Sequence, residues 1–332
     1  MRLNGIHYDI GIATVGGSST RPSLPLEVIE REVADIAHGL HANAIRITGD
    51  EIARIAQAGE VAARQGLDVW LSPMLPNADP ATTERAIAEC ARTAERLRRA
   101  GASAALVVGC ELSVFMSGIM PGATHADRLA LLADPVRLTT EVAGAGLDPQ
   151  ASFAKFLASA VTAARGLFGG PVTYASGLWE QVDWSGFDVI GIDAYRDATN
   201  RDGYADGLGA YLASGRPVVA TEVGCATYRG AADVGGMGWA VIEKGPEARL
   251  RDGVVRDEVA QATEITSLLD VMGSAGVHGA FVYTYVAPSY PSDVDPAHDL
   301  DTASFALVRS WPDGRTEPKT AYQVVAQRYS MT

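Results

Sequence analysis

Short apolar runs alternate with amphipathic stretches along most of the 332-residue chain. Eight of these runs are rich in β-branched residues and end in polar or glycine-containing sequence, a pattern typical of parallel strands buried on both faces. In chain order they are residues 5–10, 43–48, 67–72, 104–110, 171–176, 187–193, 217–222 and 279–285. The pattern therefore predicts eight strands of a parallel sheet.

Amphipathic stretches between the runs predict helices. They cover residues 25–40, 50–64, 79–100, 148–168 and 257–276. Two of them begin with Asp followed by Pro, which favours a helix start because Asp accepts from free N–H groups and Pro lacks the one left unpaired. Strands alternating with helices predict a (β/α)8 TIM barrel, with residues 1–332 as a single domain. The ten residues between the fifth and sixth runs are near the minimum for a parallel crossover.

Three connections between a strand and the next helix are long. They follow strands 4, 7 and 8 and cover residues 112–146, 225–256 and 286–318. The C-terminal strand ends of this fold carry the active sites of barrel enzymes, and long ordered loops are usually functional. We therefore expect a substrate pocket at that end of the barrel.

The charge balance and the scarcity of special motifs narrow the functional classes. With 40 acidic and 27 basic side chains the net charge is −13, which disfavours nucleic acid as a partner. The N-terminus reads as a strand and no apolar stretch is long enough to span a bilayer, so we expect a cytoplasmic protein with no membrane partner.

Three cysteines without Cys-x-x-Cys spacing indicate neither a disulfide framework nor a thiolate zinc site. Few histidines and no phosphate-binding glycine motif predict that no cofactor or metal is required.

Two glutamates stand at strand ends of the predicted barrel. Glu111 follows the fourth strand and Glu222 ends the seventh, and each has a small residue, Gly109 or Ala220, two positions earlier. Most glycoside hydrolases use such a pair of carboxylates, which point at a common centre. The alternative reading is that both are salt-bridge partners at the barrel rim.

Further polar and aromatic residues near the strand ends are candidate substrate-binding residues. They are His7, Asp9, Arg46, Cys110, Trp179, Asp193, Tyr195, Tyr283 and Tyr285. The two-residue period of a strand predicts that His7 shares a face with Asp9, Asp193 with Tyr195, and Tyr283 with Tyr285. Several of them also have a structural interpretation. His7 and Asp9 are then a hydrogen-bonded pair, Arg46 stabilises the barrel by binding a carboxylate, and Cys110 is a small buried side chain.

The motifs Val-Gly-Cys-Glu and Ala-Thr-Glu-Val-Gly resemble those of the 4/7 superfamily, or clan A, of retaining glycoside hydrolases. The resemblance implies that Glu111 is the acid/base and Glu222 the nucleophile. It further implies that Arg46 and Tyr195 orient the nucleophile, and that an aromatic residue after strand 8 forms a sugar platform. The runs Gly-Cys-Glu-Leu, Gly-Ile-Asp-Ala-Tyr-Arg and Thr-Glu-Val-Gly-Cys-Ala-Thr-Tyr-Arg-Gly-Ala look like those of bacterial barrel proteins labelled "abortive infection protein", a label that implies no particular chemistry.

The sequence departs from the superfamily pattern at two places. Cys110 stands where the superfamily has an Asn that donates to the sugar 2-hydroxyl, and a thiol is a far weaker hydrogen-bonding group. Tyr283 or Tyr285 must replace the usual Trp platform. We therefore expect a compact pocket for a small-molecule glycoside or glycosylated metabolite, in which another group replaces the Asn or the substrate lacks an ordinary 2-hydroxyl.

Rival functions remain. A Schiff-base aldolase needs a lysine inside the barrel, but Lys155, Lys244 and Lys319 lie off the predicted strands. A metal-dependent amidohydrolase favours His-x-His after the first strand, where this chain has His7-x-Asp9. A carbohydrate-binding protein without turnover, and an enzyme that acts on a non-sugar metabolite, are the alternatives that fit the same residues.

Overall fold

The computed structural model describes residues 1–14, 16–243, 245 and 247–331. Within these residues there are eight parallel strands: β1 (Leu3–Asp9), β2 (Ala44–Gly49), β3 (Asp68–Pro73), β4 (Ala104–Cys110), β5 (Val172–Ser176), β6 (Ile190–Asp193), β7 (Val218–Val223) and β10 (Gly279–Val282). They form a closed barrel in the order β1-β10-β7-β6-β5-β4-β3-β2. Each predicted run overlaps one of these strands, so the predicted TIM barrel is confirmed.

Helices lie between most of the strands. They are α1 (Leu26–Ala34), α2 (Ile52–Arg64), α3 (Pro80–Arg99), α4 (Leu112–Phe115), α5 (His125–Leu132), α6 (Pro135–Ala145), α7 (Pro149–Arg165), α8 (Tyr204–Leu212), α9 (Glu258–Ala275) and α10 (Thr320–Ser330). The helix predicted over 25–40 is α1 followed by a π-helical turn, Asp35–Gly39. None of the helices in the described residues is both long and apolar enough to cross a bilayer.

The helix starts follow the predicted capping chemistry. The side chain of Asp79 accepts from the backbone N–H of Thr82 at the start of α3, where Pro is the first helical residue. Asp148 caps α7 in the same way, again with Pro after it. Asp134 and the Pro after it repeat the signal at α6, a helix inside the stretch predicted as a long loop.

The connections after the strands carry additional small elements. The loop after β4 holds α4, α5 and α6, and the loop after β7 holds an antiparallel ribbon of β8 (Ile242–Glu243) and β9 (Arg249–Leu250). The loop after β10 holds a second ribbon, β11 (Val308–Ser310) with β12 (Thr316–Pro318). The short connection between β5 and β6 contains a single 3-10 turn, Trp184–Gly186.

The chain divides into two compact units. The first comprises Met1–Asp9, Glu27–Arg46 and Asp193–Thr332, and the second comprises Ile10–Leu26 and Ile47–Ile192. Strands of both units carry apolar side chains that are fully buried, as expected for parallel strands covered on both faces. That the whole chain forms a single domain remains a prediction.

Candidate active site

Glu222 on β7 is held by a buried cation in the first unit. The Nη1 atom of Arg46, on β2, donates to Oε1 of Glu222 at 3.1 Å and to the backbone carbonyl of Thr221 at 3.0 Å. The Arg46 side chain is 0% exposed, whereas that of Glu222 is 14% exposed. The cation is therefore covered, and the carboxylate it binds remains reachable.

Tyr195, which follows β6, binds the other oxygen of the same carboxylate. Its hydroxyl donates to Oε2 of Glu222 at 2.9 Å. Burial raises the pKa of Tyr195 well above its ordinary value, and the negative charge of Glu222 raises it further. The hydroxyl therefore keeps its proton and remains a donor, so that each oxygen of Glu222 receives one hydrogen bond from a fixed side chain.

Asp193, the last residue of β6, completes the charged group. Its Oδ1 accepts from the Thr221 hydroxyl at 2.8 Å and lies 3.7 Å from Nη1 of Arg46. Arg46 is thus placed between two carboxylates, and both Arg46 and Asp193 are buried. Loss of the negative charge on Glu222 would leave Arg46 and Asp193 as a balanced pair.

His7 on β1 is a neutral imidazole in this group. Thr284 donates its hydroxyl proton to the His7 carbonyl oxygen at 3.1 Å, so the 3.0 Å contact between Thr284 Oγ1 and Nδ1 assigns the ring proton to Nδ1. Burial lowers the pKa of His7 well below its ordinary value, and the charge of Arg46 lowers it further. Nε2 is buried and has no hydrogen-bond partner in the described residues. His7 therefore pairs with Thr284, and within the described residues its ring makes no hydrogen bond to Asp9, the partner in the structural alternative.

Aromatic rings line this part of the first unit. The His7 and Tyr283 rings are 4.6 Å apart between centroids. Phe305 packs edge-on against both Tyr283 and Tyr195, at 5.9 Å and 5.7 Å. Phe305 lies in the loop after β10, where nothing in the local sequence pattern identified it. The ring of Tyr283 therefore has two ring neighbours in this unit, His7 and Phe305.

Tyr285 lies in a different environment from the one predicted. Its hydroxyl donates to Asp35 at 2.9 Å, the same carboxylate that accepts from Tyr322, and its ring packs against that of Tyr8. The alternation that placed Tyr283 and Tyr285 on one face does not apply because β10 ends at Val282. A role for Tyr285 in substrate binding stays a prediction. Asp9, the last residue of β1, is half-buried.

The second unit holds the remaining predicted residues. Cys110 is the buried last residue of β4, and Glu111 follows it in the left-handed conformation, with φ 45° and ψ 44°. The Glu111 N–H donates to the carbonyl of Ala175 at 2.9 Å. Trp179 is 44% exposed, and its Nε1 donates to the hydroxyl of Ser113 at 3.1 Å.

Glu180 and Tyr174, which were not among the predicted site residues, bind the backbone immediately after Glu111. The Tyr174 hydroxyl accepts from the N–H of Leu112 at 2.7 Å, and the Glu180 carboxylate accepts from the N–H of Ser113 at 3.0 Å. Only the three-dimensional fold reveals these contacts, since more than sixty residues separate the partners in each.

The charges within the first-unit group are provided by protein side chains. The carboxylates of Glu222 and Asp193 receive donors from Tyr195, Thr221 and the Arg46 guanidinium. Arginine is well suited to such a position because its charge is permanent and its N–H groups form a rigid fork. That the protein works without a metal or cofactor stays a prediction.

Solved structures of glycoside hydrolases resemble the chain over nearly its whole length. A GH113 β-1,4-mannanase matches with a TM-score of 0.64 at 14% sequence identity, covering 99% of each chain. A GH113 β-mannanase from Alicyclobacillus acidocaldarius matches with a TM-score of 0.61 at 16% identity, covering 99% of this chain and 97% of the other. A β-glycosidase matches with a TM-score of 0.57 at 14% identity, covering 99% and 96%. No family model and no curated protein matches the sequence. At these identities the likeness shows the fold, a TIM barrel of the kind found in these hydrolases.

Proposed function

We propose that the protein is a retaining glycoside hydrolase in which Glu222 is the nucleophile and Glu111 the acid/base. The observation that carries the proposal is the surroundings of Glu222. One donor binds each carboxylate oxygen, Arg46 supplies a buried positive charge, and the side chain remains partly exposed. A nucleophilic carboxylate must be ionised, oriented and reachable, and this arrangement supports all three requirements.

In the first step, an oxygen of Glu222 attacks the anomeric carbon. The bond from that carbon to the leaving oxygen breaks, and Glu111 transfers its proton to the leaving oxygen. The product is a glycosyl ester on Glu222, which no longer carries a negative charge. Arg46 and Asp193 then balance each other, so the ester forms without leaving an unpaired buried charge.

In the second step, Glu111 acts as the base. It takes a proton from water, the water oxygen attacks the anomeric carbon, and the ester bond to Glu222 breaks. The carboxylate of Glu222 is restored with both of its donors in place. Two successive displacements at one carbon give a product with the configuration of the substrate.

We infer that the substrate is a small β-linked glycoside or glycosylated metabolite. The resemblance to a β-1,4-mannanase and a β-glycosidase makes β-linked sugars the first to test, β-mannosides and β-glucosides among them. The Tyr283 ring, packed between His7 and Phe305, is the candidate platform for the sugar. Cys110 gives no strong donor for a 2-hydroxyl, so we expect weak activity on plain β-glucans.

A second candidate function is binding without turnover. Cys110 favours it, because in the resembling superfamily the residue at this place is an Asn that contributes to transition-state binding. In a binding protein, a glycoside would be retained and recovered intact. Turnover of any glycoside that depends on Glu222 excludes this candidate.

The test is a screen of aryl β-mannosides and β-glucosides with the wild type and with Glu111→Gln and Glu222→Gln. We expect turnover by the wild type and a loss of at least about 10³-fold in kcat with Glu222→Gln. Glu84→Gln is the matched control, because Glu84 on α3 also accepts a side-chain hydrogen bond, which the Ser159 hydroxyl on α7 donates. Wild-type turnover that survives Glu222→Gln unchanged would overturn the proposal.

A further inference from the structure

The backbone at Glu111 has a conformation that needs support. Its φ of 45° and ψ of 44° lie in the left-handed region, which non-glycine residues adopt rarely and at an energetic cost. Two residues earlier, Gly109 has a φ of 136°, and a Cβ there would lie 2.5 Å from the Leu112 side chain. The chain therefore turns sharply between β4 and α4, with Glu111 at the turn.

The helix that follows is too short to hold this turn by itself. It is the single turn α4 (Leu112–Phe115). Isolated helical turns are unfavourable, and the first N–H groups of any helix have no partner within it. In this chain the first two N–H groups donate to side chains from β5 and the segment after it: Leu112 to the Tyr174 hydroxyl at 2.7 Å, and Ser113 to Glu180 at 3.0 Å.

Tyr174 and Glu180 are joined to each other. The Tyr174 hydroxyl has one proton, which it donates to Glu180 at 2.9 Å, while its oxygen accepts from Leu112. The Glu180 carboxylate also accepts from the N–H of Gly177 at 3.0 Å. One oxygen of Glu180 therefore accepts from the N–H of Ser113, and the other accepts from the N–H of Gly177. In each of its hydrogen bonds here, including that from Tyr174, Glu180 is the acceptor. A Gln of the same shape would present an NH2 group to some of these donors.

Burial acts on the pKa of both groups in this network. Burial raises the pKa of Tyr174 well above its ordinary value, and the charge of Glu180 raises it further, so the phenol keeps the proton that it donates. Burial also raises the pKa of Glu180, an effect that its hydrogen bonds to Ser113, Tyr174 and Gly177 oppose. Trp179, next to Glu180, adds a further link through its 3.1 Å hydrogen bond to the Ser113 hydroxyl.

We propose that Glu180 and Tyr174 are positioning residues for Glu111, holding the left-handed turn that carries the acid/base carboxyl in a single conformation. The inference rests on the proposed role of Glu111. If the turn loosens, the carboxyl is less often in place to deliver its proton to the leaving oxygen. Substrates whose leaving groups depart without that proton are then affected least.

The kinetic test compares Glu180→Gln with wild type on two aryl glycosides of the same sugar. Dinitrophenolate leaves without protonation, whereas an unsubstituted phenolate needs it. We expect kcat/KM for the phenyl glycoside to fall at least tenfold and that for the dinitrophenyl glycoside to fall less than about threefold. Glu84→Gln serves again as the control and should change neither rate. Equal losses on both substrates would indicate a general structural effect and overturn the inference.

A second measurement does not depend on turnover. Hydrogen exchange of the backbone amides should accelerate at least tenfold at Ser113 in Glu180→Gln, and chiefly at Leu112 in Tyr174→Phe. Wild-type exchange rates at both amides would overturn the inference even in an active enzyme. If wild type and Glu111→Gln hydrolyse every aryl glycoside equally, the proposed function fails. The exchange rates then still decide whether Glu180 and Tyr174 hold the turn.

Discussion

A single nitrogen atom of Arg46 bonds to two neighbouring residues of β7. Its Nη1 donates to the Glu222 carboxylate at 3.1 Å and to the Thr221 carbonyl at 3.0 Å. The guanidinium is fully buried, so it cannot follow the carboxylate into solvent. The orientation of Glu222 is therefore fixed relative to its own strand.

Replacement of Arg46 should damage both catalysis and folding. A lysine keeps the charge but not the fork, so Arg46→Lys should lower kcat/KM by about 10² or more. Arg46→Met leaves two carboxylates without their cation and should lower the free energy of unfolding by about 3–5 kcal/mol. Kinetics and urea denaturation measure the two effects. Arg137→Lys, in an exposed ion pair with Glu141, is the control and should change little. Wild-type kinetics for Arg46→Lys would contradict the role given to Arg46.

Tyr195→Phe should reduce catalysis without unfolding the protein. It removes one hydrogen bond to an ionised carboxylate, worth about 1.5–3 kcal/mol, which corresponds to about a 10- to 150-fold loss of kcat. The matched control is Tyr204→Phe, since the Tyr204 hydroxyl also makes a buried hydrogen bond, to the carbonyl of Ala194 at 2.7 Å. Steady-state kinetics of the two variants separate the loss of the hydrogen bond to Glu222 from the general effect of removing a buried hydroxyl. Equal rates for the two variants would remove Tyr195 from the mechanism.

The buried neutral His7 should make folding sensitive to mild acid. Its pKa is lowered in the folded protein, whereas in the unfolded chain it is about 6.5. Below pH 6.5 the unfolded state therefore binds more protons, and the His7 contribution to stability is lost as the pH falls towards the folded-state pKa. The slope is at most about 1.4 kcal/mol per pH unit. Urea denaturation between about pH 5 and pH 7 should show a shallower pH dependence for His7→Gln than for wild type. Parallel curves would contradict a neutral buried His7.

Cys110→Asn tests the departure from the superfamily pattern. If catalysis with Cys110 does not depend on a hydrogen bond to the sugar 2-hydroxyl, wild type should hydrolyse aryl glycosides and their 2-deoxy counterparts at similar rates. The variant should then favour the 2-hydroxyl form, because the amide can donate to it in the transition state. The ratio of kcat/KM values for the two substrates is the measurement. A strong preference for the 2-hydroxyl in wild type, unchanged by the substitution, would show that this interpretation of Cys110 is wrong.

Local patterns in the sequence account for the barrel but only for part of the site. Strand periodicity and the Asp-Pro starts act over a few residues, so the strands and helices such as α3 could be predicted. Arg46 and Tyr195 contact Glu222 as the resemblance implied, while their catalytic roles stay predictions. Strand alternation cannot be extended to Tyr285, because β10 ends at Val282.

Other contacts join segments that are distant in the sequence. His7 binds Thr284, which is 277 positions away, and Glu180 binds Ser113, which is 67 positions away. Neither pairing follows from a periodic pattern, since each depends on where the backbone of a loop comes to lie. A residue such as Glu180 could therefore be recognised only from its hydrogen bonds in the folded chain.

The configuration of azide adducts distinguishes a nucleophilic Glu222 from an acid/base Glu111. With Glu222→Ala, azide should attack the anomeric carbon in place of the missing nucleophile and give a glycosyl azide of inverted configuration. With Glu111→Ala, azide should instead open the glycosyl ester on Glu222 and give a glycosyl azide of retained configuration. NMR of the two products, from an aryl glycoside with a good leaving group, reads both configurations. We expect inversion for Glu222→Ala and retention for Glu111→Ala. The opposite assignment, or full activity of Glu222→Ala without azide, would show that Glu222 is not the nucleophile.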